Sequence, residues 1–314
     1  MIPSIGAVVV SHDSADDLPI CLDALGVAAG VNEVVVVDNA SRDSSREIAV
    51  RTGVRVIEEA ENRGFAGGCN RGFMELAADH DFIAFLNPDV EVNPSCIEGC
   101  VQLMSQNAEV GGVAPRLMRS GSELVDSVGQ VLHPLTLEVK DRGYGEELSA
   151  DLLRPCDVLA PCGALAVFRS AALEAVADEN GPWAEHYFCF WEDLEIGWRL
   201  VNKGYRILAL PDAVATHRRG AGAEKGRGPL RWRRPPHLEA CIITNRWMTL
   251  IRHLHPLDLG LRLPLLLVWD SALVVTGLLR RPALLGQLRR RWPLVAGEWR
   301  ARRRYHRRRL HELS

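Results

Sequence analysis

Residues 81–89 read Asp-Phe-Ile-Ala-Phe-Leu-Asn-Pro-Asp, an apolar run that ends in a polar hook. Such a run, bounded by turn residues, reads as a buried strand. The hook then stands at the strand's carboxyl end, where open α/β sheets place their ligands. Pro88 fixes its own φ and pushes Asn87 to an extended conformation. The carboxylate of Asp89 is thereby held outside the sheet edge, ready for a cation. Taken alone, Asn-Pro-Asp reads equally well as a turn. A second acid, Asp38, closes the apolar run Glu-Val-Val-Val-Val-Asp at 33–38. At a strand end it suits a ribose hydroxyl or a base N–H; otherwise it is a turn residue. Between these two acids lies Glu-Asn-Arg-Gly-Phe-Ala-Gly-Gly-Cys-Asn at 61–70. Its glycines at 64, 67 and 68 let backbone approach a ligand closely. No Gly-Lys-Ser/Thr follows, so this is not a Walker loop, and it is not a clean Gly-x-Gly-x-x-Gly. A tight turn before a helix accounts for it as well.

The elements that must position these groups alternate. Strands are expected at 5–10, 33–38, 54–57 and 81–86, each followed by a helical segment, with Asp43 or Ser44 able to cap the second. This pattern argues for an α/β fold with a mostly parallel central sheet and helices on both faces. The strands end in Ser11, Asp38, the Asn62 to Gly68 loop and Asn87. In a doubly wound sheet those ends gather at one edge, which brings Asp38 near Asp89. A nucleotide is the usual occupant of such an edge.

Further on, a helix is expected at 95–107 and a strand at 110–114, followed by a turn-rich stretch at 118–156. A second apolar run spans 158–168 and contains Cys162, Gly163 and Ala164. An aromatic cluster (Trp183, Tyr187, Phe188, Phe190, Trp191) runs into Glu192, Asp193 and Glu195 on a helix that stops at Gly204. A strand at 205–210, Pro211-Asp212 and the segment Ala-Val-Ala-Thr-His at 213–217 follow.

At 314 residues the chain can bury a large core in one or two domains. Its eight cysteines form no Cys-x-x-Cys pair, and Cys96 and Cys100 have no nearby His or Cys to complete a zinc site. They are expected to be buried apolar residues in a reducing compartment. Residues 5–10 are too short an apolar run for a signal peptide and lack a basic flank. The net charge of −3 hides an asymmetry. Residues 218–314 carry 22 Lys+Arg against 6 Asp+Glu, and residues 1–217 carry 15 against 34. An acidic body with a basic tail suits a polyanionic surface.

Six motifs in order resemble the family-2 inverting glycosyltransferases of GT-A fold, in their rhamnosyltransferase-like branch. They are Val-Val-Val-Ser-His-Asp-Ser (8–14), Val-Val-Asp-Asn-Ala-Ser-Arg-Asp-Ser (36–44), the segment 61–70, Leu-Asn-Pro-Asp (86–89), Trp-Glu-Asp-Leu-Glu-Ile-Gly-Trp-Arg-Leu (191–200) and Ala-Thr-His (215–217). The resemblance covers roughly residues 4–220. It implies Asp38 as the nucleoside-binding aspartate, with Ser11, Asn62, Gly67 and Asn87 as further nucleotide-side contacts. It implies Asp89 and His217 as ligands of Mg²⁺ or Mn²⁺, and Asp193 as catalytic base. Gly163, Ala164, Trp191 and Glu192 are expected to meet the acceptor or the sugar. Two positions depart from the family's pattern. Asn87 replaces the first acid of the metal motif, and Ala184 stands where an aspartate is frequent.

The chemistry agrees with these roles. Transfer from a nucleotide-diphosphate sugar releases a diphosphate, whose charge a hard cation offsets. Such cations take one or two protein carboxylates plus phosphate oxygens. Inversion needs one base on the face opposite the leaving group, and a single carboxylate suffices. Asp193 also reads as a helix cap, and Glu192 and Glu195 rival it as base. His217 also reads as a histidine without a ligand. Tyr187 and Trp191 are the cluster's candidates for stacking on a sugar.

Residues 1–220 are thus expected to form the catalytic domain, its nucleotide-sugar half at 1–115 and its acceptor half at 116–220. A loop at 221–236 and a helical tail at 237–314 follow. The loop's arginines are placed either over the diphosphate or in a linker. The apolar stretch 257–279 is interrupted by Arg262, Pro264 and Asp270. It is expected to lie in a membrane interface rather than cross it, with arginines at 289–291 and 302–309 on anionic headgroups. Alternatively the tail packs on the catalytic domain or on a partner subunit, including a second copy. No recognition motif for nucleic acid accompanies the charge. The reading is a cytoplasmic enzyme, peripheral at the inner face of the cell membrane. It would move L-rhamnose from a dTDP-linked (or UDP-linked) donor to a lipid-linked or polysaccharide acceptor. A sugar nucleotidyltransferase is the first alternative, although 5–14 lack its basic phosphate signature. A non-catalytic scaffold is the second.

Overall fold

A computed structural model describes residues 3–218, 234–302 and 310. Its first half alternates as the sequence predicts: β1 (Ile5–Ser11), α1 (Leu18–Gly26), β2 (Val31–Asp38), α2 (Ser45–Arg51), β3 (Arg55–Glu58), α3 (Gly64–Leu76), β4 (Phe82–Leu86) and β5 (Val90–Val92). Then come α4 (Cys96–Gln106), β6 (Val110–Arg119), β7 (Val125–Ser127), β8 (Gln130–Leu132), β9 (Val139–Asp141), β10 (Cys156–Asp157), β11 (Leu165–Arg169) and α5 (Ser170–Glu174). A 3₁₀ turn at Glu185–Tyr187 leads to α6 (Glu192–Lys203) and β12 (Arg206–His217). The tail is three helices, α7 (Pro236–His253), α8 (Pro256–Arg280) and α9 (Leu284–Ala301).

The main sheet runs β10-β12-β6-β11-β4-β1-β2-β3, with β5 on β12 and β7 on β6. Strands β3, β2, β1 and β4 are parallel, and so are β6 and β12. Strand β11 runs antiparallel between β4 and β6. Both faces of β1 are covered, which is why all seven of its residues are buried and the strand is continuously apolar. Val8 and Val10 pack with Phe73 and Leu76 of α3, and with α6 beyond them. Ala7 and Val9 pack with Leu18 and Leu22 of α1 and Ile97 and Val101 of α4 on the other face. Two core layers therefore sandwich one sheet, and the carboxyl ends of β1, β2, β4 and β12 share an edge.

Three expected boundaries need correction. Helix α3 begins at Gly64, inside the glycine segment. Its glycines at 68 and 72 face β1: a Cβ there would lie 2.5 Å and 2.3 Å from the nearest methyl groups of Val10 and Val8. They let the helix lie close on the sheet. The strand expected at 205–210 runs on to His217, because β12 stays paired with β6 across an irregularity between Leu210 and Val214. Strand β6 correspondingly reaches Arg119, past the expected 114. Of the apolar run 158–168, only the end from Leu165 is strand. Its first part is a loop whose Leu159 N–H bonds the Gln130 carbonyl.

Part of the tail packs on the catalytic domain. Helix α7 packs into the main core through Met248 and Leu250. Helix α8 is one continuous 25-residue helix, with Pro264 inside it. It is long and apolar enough to cross a membrane (mean hydropathy 1.6), yet 6% of that stretch is buried in the protein. The loop at 221–233 and the arginines at 303–309 lie outside the described residues.

Candidate active site

At one end of the edge, Ser11 and Asp38 are register partners at the tips of β1 and β2. Both are buried, at 0% and 4% exposure. Among the described residues, Ser11 Oγ and Asp38 Oδ1 have no hydrogen-bond partner. Buried polar atoms are seldom left unsatisfied, so this pair offers hydrogen-bonding capacity to a ligand. The adjacent Asn39, which sequence reasoning passed over, fixes the glycine segment. Its Oδ1 accepts from the Arg63 N–H at 2.9 Å and its amide donates to the Gly64 carbonyl at 2.8 Å. Asn62 Oδ1 accepts from the Gly64 N–H, so it shapes the helix start. A Cβ on Gly67 would lie 2.6 Å from that of Arg63 and 3.2 Å from Glu185 Oε1. Gly67 therefore admits the Arg63–Glu185 ion pair.

The second cluster joins β4 to β12. His217 Nε2 lies 3.2 Å from Asp89 Oδ2, and its Nδ1 lies 2.8 Å from Asp126 Oδ2. Burial alone would lower the His217 pKa, but hydrogen bonds to Asp126 and Asp89 push it up to about 9. Asp126, on the short β7, is fully buried and was not singled out from sequence, since nothing in its neighbourhood repeats a motif. A carboxylate and an imidazole with a carboxylate behind it are a donor set that suits Mn²⁺ or Mg²⁺. No group of three or more His, Cys, Asp or Glu converges on one point among the described residues. Asp89 and His217 would thus hold a cation only together with oxygens from phosphate and water. Asn87 lines the cleft beside them, its N–H bonded to the Ala164 carbonyl.

The third cluster surrounds Asp193 in the first turn of α6. Its Oδ2 accepts from the Gly163 N–H at 2.9 Å and from Gln130 Nε2 at 2.7 Å. Burial raises its pKa against the lowering effect of these bonds. A Cβ on Gly163 would lie 3.2 Å from that same oxygen, so Gly163 lets its backbone approach the acid this closely. Of the two rivals, Glu195 is excluded. It is fully buried, bonded to Arg199 at 2.6 Å, Arg252 at 2.7 Å and His253 at 3.0 Å. Burial would raise its carboxyl, but those cations hold it well below the usual range. Glu192 remains in the cleft with Oε2 unpaired, pushed well above the usual range by burial and by Asp193. Tyr187 is not in the cleft: it is fully buried and bonded to Thr249 at 3.0 Å.

The segment before Asp193 is strained. Phe188, Phe190 and Trp191 have φ of 67°, 67° and 71°, which costs of order 1–3 kcal/mol per residue. One tail side chain holds it. Asn245 Nδ2 on α7 lies 2.9, 2.9 and 2.7 Å from the carbonyl oxygens of Tyr187, Cys189 and Phe190. Arg291 of α9 bonds Asn245 Oδ1 at 2.6 Å.

A cleft of about 760 Å³ joins His217 to the Asp193 cluster, lined by Asn87, Gln130, Gly163, Ala164, Trp191, Glu192, Asp193 and His217 among others. Ser11, Asp38, Asn62, Gly67 and Asp89 lie outside its lining, Asp89 reaching it through His217. The edge therefore holds a buried polar pair, a carboxylate–imidazole pair and a held carboxylate, the last two on one cleft.

The sequence pattern of glycosyl transferase family 2 matches residues 7–176, more than half of the chain. The chain belongs to glycosyl transferase family 2. This glycosyltransferase is similar to the N-acetylglucosaminyl-diphospho-decaprenol L-rhamnosyltransferase of Mycobacterium tuberculosis: 25% identity over 219 residues, 62% of this chain and 69% of that protein. It is also similar to the O-antigen chain rhamnosyltransferase WbaN of Salmonella anatum, 23% identical over 59% of this chain and 56% of that protein. Among solved structures it resembles the mannosyltransferase PcManGT of Pyrobaculum calidifontis in complex with GDP-Man and Mn²⁺. The TM-score is 0.57 at 19% identity, covering 96% of this chain and 81% of the other. That likeness bears out the GT-A fold.

Proposed function

We propose that this glycosyltransferase is an inverting, metal-assisted hexosyltransferase. It takes L-rhamnose from a dTDP-linked donor to a lipid-linked acceptor at the cytoplasmic membrane face. The observation that carries the transfer chemistry is the pairing, across one cleft, of a carboxylate–imidazole pair with the separately held Asp193. The donor sugar rests on the named relatives, both L-rhamnosyl or rhamnosyl transferases.

In this reading Ser11 Oγ and Asp38 Oδ1 take up the nucleoside's hydroxyl and N–H groups. Asp89 and His217 hold Mg²⁺ or Mn²⁺, which supplies positive charge against the diphosphate leaving group. Asp193 Oδ2 accepts the proton of the acceptor hydroxyl as the new bond forms. Gln130 and Gly163 fix its direction, and its raised pKa makes it a better base than an ordinary aspartate. Glu192, which holds its proton tightly, donates a hydrogen bond to the acceptor. Trp191 and Phe65 wall the cleft against water. The exposed apolar residues of α8 rest in the membrane interface.

Donor turnover with Asp193→Asn tests this. The variant is expected to bind nucleotide as the wild type does and to transfer about 10²–10⁴-fold more slowly. Transfer at the wild-type rate rejects Asp193 as base.

A further inference from the structure

A second cavity adjoins the catalytic cleft and has no part in the chemistry above. It holds about 320 Å³, within the usual size of small-molecule sites. Its walls come from the β8–β9 hairpin, α7 and α8. Val139, Ile242, Ile243, Trp247 and Leu273 make it largely apolar. Val139, Lys140, Trp191 and Ile242 line both spaces. The cavity therefore adjoins the cleft that contains Asp193 along these four residues.

Its charged groups are not equivalent. Arg246 is spent on structure: it bonds Asp270 at 2.8 Å and the carbonyls of Leu137 and Thr136 at 2.6 Å each. Glu138 accepts from the Thr136 hydroxyl at 2.9 Å. Lys140, exposed at the junction, has no ion pair among the described residues. An ammonium at the mouth of an apolar cavity suits an anion joined to an apolar chain.

The same helix that walls the cavity also faces outward with an apolar surface. Leu261, Val268 and Leu279 of α8 are 75%, 70% and 80% exposed. Trp292 and Trp299 of α9 are exposed too, as aromatics at a membrane boundary are. Such a surface marks contact with apolar matter. One side of α8 thus meets the bilayer while Asp270 and Leu273 meet the cavity.

We infer that this cavity seats the diphosphate and the first isoprenoid units of a polyprenyl diphosphate-linked acceptor. Lys140 binds the diphosphate and α7 and α8 hold the chain. This deepens the reading of the site as a transferase on lipid-linked acceptors and rests on it. The geometry explains how a sugar on a membrane lipid reaches Asp193. The lipid leaves the bilayer along α8, and its headgroup passes Lys140 and Trp191 into the cleft.

The test is flotation of the full chain with phosphatidylcholine vesicles carrying a polyprenyl diphosphate. Vesicles with polyprenol and with phosphatidylglycerol serve as comparisons, and nucleotide binding is titrated on the same preparations. Wild type is expected to bind the polyprenyl diphosphate vesicles at least tenfold more tightly than those with polyprenol. Lys140→Ala and Leu273→Gln should each remove most of that preference while nucleotide binding stays. Equal binding to polyprenol, or variants that keep the preference, overturns the assignment. So does equal binding to phosphatidylglycerol that neither variant changes, which would reduce the effect to the tail's net charge. Nucleotide titration separates the two claims: absent nucleotide binding with the lipid preference intact would reject the transferase reading and leave the cavity's ligand standing.

Discussion

Asn245 Nδ2 stands 2.7 Å from the carbonyl oxygen of Phe190, so a tail helix grips the backbone two residues before the Asp193 helix begins. Phe190 and Trp191 both have positive φ, a conformation that bulky residues adopt only when the surroundings impose it. The tail is therefore part of the scaffold that holds the segment leading to Asp193.

From this follows the first prediction. Asn245→Ala frees three carbonyls and lets the strained segment relax. A displacement near 1 Å at a catalytic group costs about 10²-fold in rate, so kcat should fall by about that factor. Nucleotide affinity should hold, because Asp38 and Asp89 sit on other elements. Steady-state kinetics beside a nucleotide titration separates the two. Equal loss of both would mean that Asn245 serves only the fold.

A pH profile provides the second. Asp193 has a folded pKa raised above 3.8 by burial, and transfer needs it deprotonated. Activity should therefore be full above that raised pKa and fall as pH drops through it. The acid limb of kcat/KM should lie above the range of an ordinary aspartate. An acid limb at the ordinary value would place the base elsewhere.

Much of this was legible in the sequence, and the reason is local. Strands β1 to β4 are continuous apolar runs because both faces are covered, so pattern alone reveals them. Ser11, Asp38 and Asp89 follow as their tips. Gln130, Asp126 and Asn245 were not legible. Each acts on a residue 63, 91 or 55 positions away in the chain, and no local spacing encodes such a meeting. At Gly67 small size admits an ion pair, which a loop pattern cannot distinguish from room for a ligand.

The third prediction concerns the buried ion network that joins α6, α7 and α9. Burial alone would raise Glu298, but His186 and Arg252 hold its pKa at about 2. A depressed pKa stabilises the fold above the ordinary value of 4.5, and that stabilisation is lost as pH falls towards 2. Tail docking should weaken across that window. Glu298→Gln should cost about 3 kcal/mol at neutral pH, since it strips a buried partner from Arg252. Denaturant melts at neutral and acid pH check both. A variant whose stability changes with acid as steeply as wild type would contradict the role given to Glu298.

Asp38 gives the fourth. Its Oδ1 is buried and unpaired, and a hydrogen bond to a charged group contributes about 1.5–3 kcal/mol. Asp38→Ala should weaken nucleotide binding by roughly 10- to 150-fold, measured by calorimetry, without loss of thermal stability. Unchanged affinity would assign the unpaired oxygen to something other than the nucleoside.

The most direct measurement is calorimetric titration of dTDP, UDP and GDP, with and without Mn²⁺, into the wild type and Asp89→Ala. The account predicts that one nucleotide, dTDP, binds in a Mn²⁺-dependent manner and that Asp89→Ala abolishes the dependence. Nucleotide binding that ignores both the metal and Asp89 would contradict the metal-assisted mechanism, and absence of binding to any of the three would contradict the donor site itself.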